Sequence, residues 1–150
     1  MKSVYIHIPF CETICSYCDF CKMRYDSSWV KTYLSCLQKE IQEKYRGEQM
    51  KTLYIGGGTP SALSLEELEN LMDIMMIFKK AKTFEYTFEC NIENITKEKL
   101  LLLKEYGVNR LSVGVQTSHE KYLKFLNRSH TKELVREKVK EMKELGFSNI

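Results

Sequence analysis

Apolar and polar positions along this chain switch between a two-residue and a helical rhythm. Val4-Tyr5-Ile6-His7-Ile8 alternates and stops at Pro9, which predicts a β-strand. From Ser27 or Ser28 onward, Val30, Tyr33, Leu34, Leu37 and Ile41 recur at helical spacing, with Gly47 as the stop. A second strand is expected at 52–55, broken by Gly56-Gly57-Gly58. Ser64, with Glu67 three residues on, forms a capping box for a helix carrying Leu65, Leu68, Leu71, Met72, Met75 and Met76. The methionine stripe reads as core packing. A third strand is expected at 84–88, and Thr96 caps a helix at 97–106 that Gly107 ends. A fourth strand at 111–115 precedes a helix around 131–145, closed by Gly146.

The approach to the fourth strand, Lys104-Glu105-Tyr106-Gly107-Val108-Asn109-Arg110-Leu111, is echoed by Lys143-Glu144-Leu145-Gly146-Phe147-Ser148-Asn149-Ile150. A fifth strand is therefore expected from Ser148 or Asn149. Strands alternating with helices imply parallel pairing through right-handed crossovers. The unusual residues cluster after strand one (the cysteines), strand two (the glycines), strand three (Glu89, Asn91) and strand four (Gln116). Four consecutive strand ends feeding one site suit a barrel better than an open sheet with a single switch point. The expected fold class is α/β: a parallel (β/α) partial TIM-type barrel, truncated at the start of its fifth strand. Residues 1–150 are then the N-terminal part of a core domain.

Composition narrows the class. The chain has 150 residues, 43% hydrophobic and 29% charged, which suits a globular domain with its own core. No apolar run approaches the roughly 20 residues of a membrane span, and the first residues do not read as a signal peptide. A cytoplasmic protein is expected. The formal net charge of +3 is too small to argue for nucleic acid.

Four of the six cysteines, Cys11, Cys15, Cys18 and Cys21, fall in one short stretch. Without a secretory signal, such clustering reads as metal binding rather than disulfides. Cys36 and Cys90 lie apart and read as small buried apolar residues. Cys11, Cys15 and Cys18 form C-x₃-C-x₂-C. Three thiolates in one loop can hold three irons of a cubane and leave the fourth open to a ligand. The same thiolates suit zinc, with Cys21 or His7 as a fourth ligand, in a binding module without redox chemistry. The glycines before Thr59-Pro60 let backbone approach a ligand closely. No G-K-[ST] follows, so this is not a Walker loop. Glu89, Gln116 and Arg128 supply a carboxylate, an amide and a guanidinium that could bind hydroxyl, ammonium or carboxylate groups. Tyr5 and His7 share one face of strand one and could point into the barrel; His7 could equally be a hydrogen-bonded core residue.

Together these motifs resemble the radical S-adenosylmethionine (SAM) superfamily. The runs Tyr5-Ile6-His7-Ile8-Pro9-Phe10-Cys11, Tyr17-Cys18-Asp19-Phe20, Gly56-Gly57-Gly58-Thr59-Pro60, Asn109-Arg110-Leu111-Ser112-Val113-Gly114-Val115-Gln116 and Asn127-Arg128-Ser129-His130-Thr131 are similar to one branch of it. That branch contains oxygen-independent coproporphyrinogen III oxidase and the related haem chaperone, and the likeness covers nearly the whole chain. It implies a [4Fe–4S] cluster on Cys11, Cys15 and Cys18. It implies contacts to cluster-bound SAM from Tyr5, Gly57 and Glu89, and to a second SAM from Tyr17, Gly58, Thr59, Gln116 and Arg128. It further implies haem or tetrapyrrole as partner and an electron donor such as flavodoxin or ferredoxin. The reduced cluster would cleave SAM to a radical that abstracts hydrogen from substrate. The Tyr17–Phe20 run is closer to the chaperone; a genuine decarboxylating oxidase is the alternative. Two positions depart from the family: Cys21, and Glu89-Cys90-Asn91-Ile92, where the family usually has proline after the asparagine or aspartate.

Overall fold

The computed structural model describes residues 2–150. Strand β1 (Ser3–Ile8) leads through a two-residue strand, β2 (Phe10–Cys11), into the cysteine loop and a matching short strand, β3 (Met23–Arg24). Helix α1 (Ser27–Lys44) returns the chain to strand β4 (Met50–Gly57). A 3-10 turn (Pro60–Ala62) and helix α2 (Leu65–Met75) precede strand β5 (Lys80–Asn91). Helix α3 (Lys97–Glu105), strand β6 (Arg110–Gly114), a short helix α4 (Glu120–Phe125) and helix α5 (Lys132–Glu144) complete the order.

The main sheet has the order β1-β4-β5-β6, with every pair parallel. The strands lie side by side in the order the chain makes them, with no reversal. That is the winding of a (β/α) barrel wall rather than of a doubly wound sheet. Where the fifth strand is expected, Asn149 makes a single parallel bridge to Arg110.

Alternation along the strands separates two faces. Ile6, Ile8, Leu53, Ile55, Tyr86, Phe88 and Leu111 are buried and join Val30, Leu34, Leu68, Leu71, Met72, Leu100 and Leu103 from α1, α2 and α3 in one core. The other face carries Tyr5, His7, Tyr54, Thr87, Glu89, Arg110 and Ser112 from the intervening positions. A polar inner face on a parallel wall is a surface prepared for ligands, because a purely structural barrel fills its interior with branched apolar side chains.

The caps act as expected at Ser64, where both halves of the capping box form, and at Thr96. Helix α1 opens at Ser27 as expected, and Asp26 caps it, accepting from the Ser28 backbone N–H. Three local expectations are corrected. The third strand runs from Lys80, longer than its aromatic segment, because pairing with β4 extends order into the lysine-rich start. Leu65 and Met76 are exposed and lie outside the core that Leu68, Leu71, Met72 and Met75 join. Cys36 is exposed on α1, whereas Cys90 is buried as expected. Helix α4 and the β2–β3 pair are too short to carry a readable period.

Candidate active site: a thiol loop at the strand ends

The cysteine loop is held at its base and along its length. Phe10 and Cys11 pair with Met23 and Arg24, and Met23 N–H donates to Pro9 O at 2.8 Å. The His7 ring donates from Nε2 to the Cys21 carbonyl at 2.8 Å, which assigns its proton to Nε2. Its Nδ1 then accepts from the Tyr5 hydroxyl at 3.0 Å. Lys22 Nζ donates to the Cys18 carbonyl. On the far side, Ser16 Oγ donates to Phe125 O and Asn127 Nδ2 donates to Ile14 O, both at 3.0 Å. Helix α4, invisible in the sequence pattern, is thus one of the loop's anchors.

Cys11, Cys15 and Cys18 line one cavity of about 260 Å³ with Tyr17, Lys22, Gly57, Gly58, Thr59, Glu89, Gln116 and Arg128. Burial pushes the Cys11 thiol above its usual range; the Thr59 hydroxyl, which donates to its Sγ at 3.4 Å, and the Lys22 charge pull the other way. Cys21 does not line this cavity. It is exposed.

Glu89 is fixed from two sides: Tyr54 donates to Oε1, and Gly57 N–H donates to Oε2 at 3.1 Å. The glycine run is cut to this arrangement. A Cβ on Gly56 would sit 2.7 Å from the Glu89 carboxylate. Gly57 holds φ +117°, and a Cβ there would sit 2.7 Å from the His7 ring. Gln116 lines the cavity from the end of β6 with φ +65°, an uncommon conformation for a residue with a side chain.

Arg128 is buried, and its charge is answered internally. Nε and Nη2 grip Glu93 at 2.8 and 2.7 Å, Nη2 also donates to Gly114 O at 2.9 Å, and Nη1 reaches Asn91 Oδ1 at 3.4 Å. These partners engage four of the five N–H groups of the guanidinium, and the Tyr17 hydroxyl is hydrogen-bonded to it as well. Burial raises the Glu93 pKa, but hydrogen bonds from Arg128 and from His130 Nδ1, at 2.9 Å, outweigh it and hold the carboxyl at about 2. Asn91 passes the contact on, donating from Nδ2 to Thr59 Oγ1 at 3.2 Å. Arg128, Asn91, Thr59 and Cys11 thus form one hydrogen-bonded line from the arginine to a thiol.

All eleven residues singled out in the sequence gather at this end of the sheet, and all but Tyr5 line the cavity itself. Tyr5 lies beside Tyr54, which bonds Glu89 on the cavity wall. Sequence reasoning missed Lys22, Tyr54, Asn91 as a relay, Glu93 and His130. Tyr54 was signalled by its alternation with Leu53 and Ile55, and Lys22 by its place beside the cysteines; nothing in the pattern marked Glu93.

Among the described residues, no three His, Cys, Asp or Glu side chains converge where a single ion could sit. His7 is bonded at both ring nitrogens, and Cys21 lies outside the cavity. Cys11, Cys15 and Cys18 line one cavity, and a cubane takes each thiolate at a different iron.

A singly wound parallel wall with a three-thiol loop after its first strand is the arrangement of the radical SAM type. The sequence profile of the Radical SAM superfamily matches residues 5–150, and the chain belongs to that family. It is 44% identical over 155 residues to the heme chaperone HemW of Bacillus subtilis and 40% identical over 150 residues to that of Lactococcus lactis. Those alignments take in 100% and 99% of this chain but 41% and 39% of the relatives. The structure of coproporphyrinogen III oxidase (HemN) from Escherichia coli superposes with a TM-score of 0.89 at 29% identity, over 98% of this chain and 35% of that one. These relatives place the chain in the haem chaperone and coproporphyrinogen oxidase-like branch. Among the described residues, no helix is long and apolar enough to cross a membrane.

Proposed function

We propose that Cys11, Cys15 and Cys18 hold a [4Fe–4S] cluster with one iron open to SAM, in a protein that handles haem as the HemW relatives are named for doing. The observation that carries this reading is the shared cavity: three thiols of a C-x₃-C-x₂-C loop face Glu89, Gln116 and the Gly57–Thr59 backbone at the C-terminal end of a parallel wall. The cluster, when bound, supplies one electron to SAM. The chain's part is to hold and orient. Tyr5, Gly57 and Glu89 would bind the SAM on the open iron, with Glu89 preset by Tyr54 and the Gly57 N–H. Tyr17, Gly58, Thr59, Gln116 and Arg128 would contact a second ligand of the same kind, with Tyr17 and Arg128 hydrogen-bonded to each other.

Residues 1–150 would be part of a larger radical SAM core, consistent with the chain spanning about two fifths of its relatives' length. The electron would come from a low-potential donor of the flavodoxin or ferredoxin class. A cluster with an exposed iron suits the reducing cytoplasm. The test is anaerobic reconstitution with iron and sulfide, then electron paramagnetic resonance of the reduced protein with and without SAM. A [4Fe–4S]⁺ signal that shifts on adding SAM supports the open iron; a full cluster blind to SAM, or none, overturns it.

The genuine oxidase is the second reading, favoured by the superposition on HemN. Haem binding without conversion of coproporphyrinogen III selects the chaperone; decarboxylation selects the oxidase.

A further inference from the structure

Two cations line the thiol cavity, Lys22 and Arg128. They differ in electrostatic state. Arg128 is matched by the bidentate carboxylate of Glu93, so the pair adds almost no net charge. Lys22 has no carboxylate partner among the described residues; its hydrogen bond is to the Cys18 carbonyl, which ties the ammonium to the loop that carries the thiols. Lys22 is half-buried, where solvent screens less than at the surface.

We propose that Lys22 is a positioning residue that sets the reduction potential of the cluster held by Cys11, Cys15 and Cys18, raising it so that a cellular donor can deliver the electron. The inference rests on the cluster reading above. Its physics is simple. Three thiolates make the core anionic, and one-electron reduction adds another negative charge. A fixed ammonium in the same cavity stabilises the reduced state more than the oxidised one. Glu89 lies on the cavity wall with the opposite sign and its hydrogen bonds come from neutral groups, so it opposes Lys22; among the described residues, Lys22 is the cavity cation with no carboxylate in contact.

The test is a mediated redox titration of the reconstituted protein, followed by the [4Fe–4S]⁺ resonance, with iron and sulfide content measured beside it. Lys22→Gln keeps a donor for the Cys18 carbonyl and removes the charge. Lys22→Arg keeps both. The expected result is a full cluster in each, with reduction of Lys22→Gln disfavoured about tenfold, a fall of about 59 mV for a one-electron couple. Lys22→Arg should stay within about twofold of the parent. A full cluster in Lys22→Gln at the parent potential overturns the proposal and leaves the cluster reading intact. If Lys22→Gln cannot hold a cluster, Lys22→Arg decides: a retained cluster at the parent potential supports the role of charge, and a lost one makes Lys22 a structural tie only. No cluster in the parent protein overturns both readings.

Discussion

Glu93 grips Arg128 with both carboxylate oxygens while its Oε1 also meets the His130 ring, so one acid from the loop after β5 answers two basic groups from the loop after α4. The contact joins two segments that never meet in the secondary structure. It also braces Arg128 in the wall of the cavity.

That brace makes stability depend on pH. The Glu93 carboxyl falls from an ordinary value near 4.5 unfolded to about 2 folded. A depressed folded pKa contributes stability that is full above the unfolded value and is lost as pH falls from about 4.5 toward 2. The contribution is on the order of 3 kcal/mol. Urea unfolding of the parent and of Glu93→Gln from pH 6 to pH 3 should show a steeper acid loss in the parent. Parallel curves would deny the brace its energetic role.

The exposed Cys21 should be dispensable for the metal centre. Cys21→Ala is expected to take up as much iron and sulfide as the parent, whereas Cys11→Ser, Cys15→Ser and Cys18→Ser each lose the cluster. Loss of iron in Cys21→Ala would make it a fourth ligand and close the site to SAM.

Thiol labelling of the metal-free protein should sort the cysteines by burial. Cys21 and Cys36 are exposed and should react first with iodoacetamide. Burial pushes the Cys90 thiol up to about 12, so it should stay unmodified until the chain unfolds. Mass spectrometry of a time course checks the order.

Gly57→Ala should damage the site through its backbone. The left-handed φ and the His7 ring leave a methyl group no place, and such strain costs about 1–3 kcal/mol. Chemical denaturation should show that loss. Ser64→Ala, which removes the capping box of α2, should cost about 1 kcal/mol yet leave cluster uptake unchanged, separating general stability from the site.

How much of this was legible beforehand follows from the range of each interaction. The alternation in β1, the glycine stop of β4, the Ser64 and Thr96 caps and the echo before Asn149 are local, and a chain carries local preferences in plain view. The three thiols were legible because one loop supplies them all. Leu65 and Met76 were misjudged because helical spacing tells which residues share a face but not where that face stops being covered.

The sequence by itself determined the parallel strand–helix plan, the thiol loop and the residues gathered at the strand ends. Only the tertiary structure decided which polar groups satisfy one another. It buried Arg128 against Glu93, bonded both nitrogens of His7, turned Cys21 outward and left Lys22 as the free charge beside the thiols. The physical reason is that an unpaired buried polar group is costly, and the partners lie far apart in the chain, 35 residues for Glu93 and Arg128 and 48 for Thr59 and Cys11.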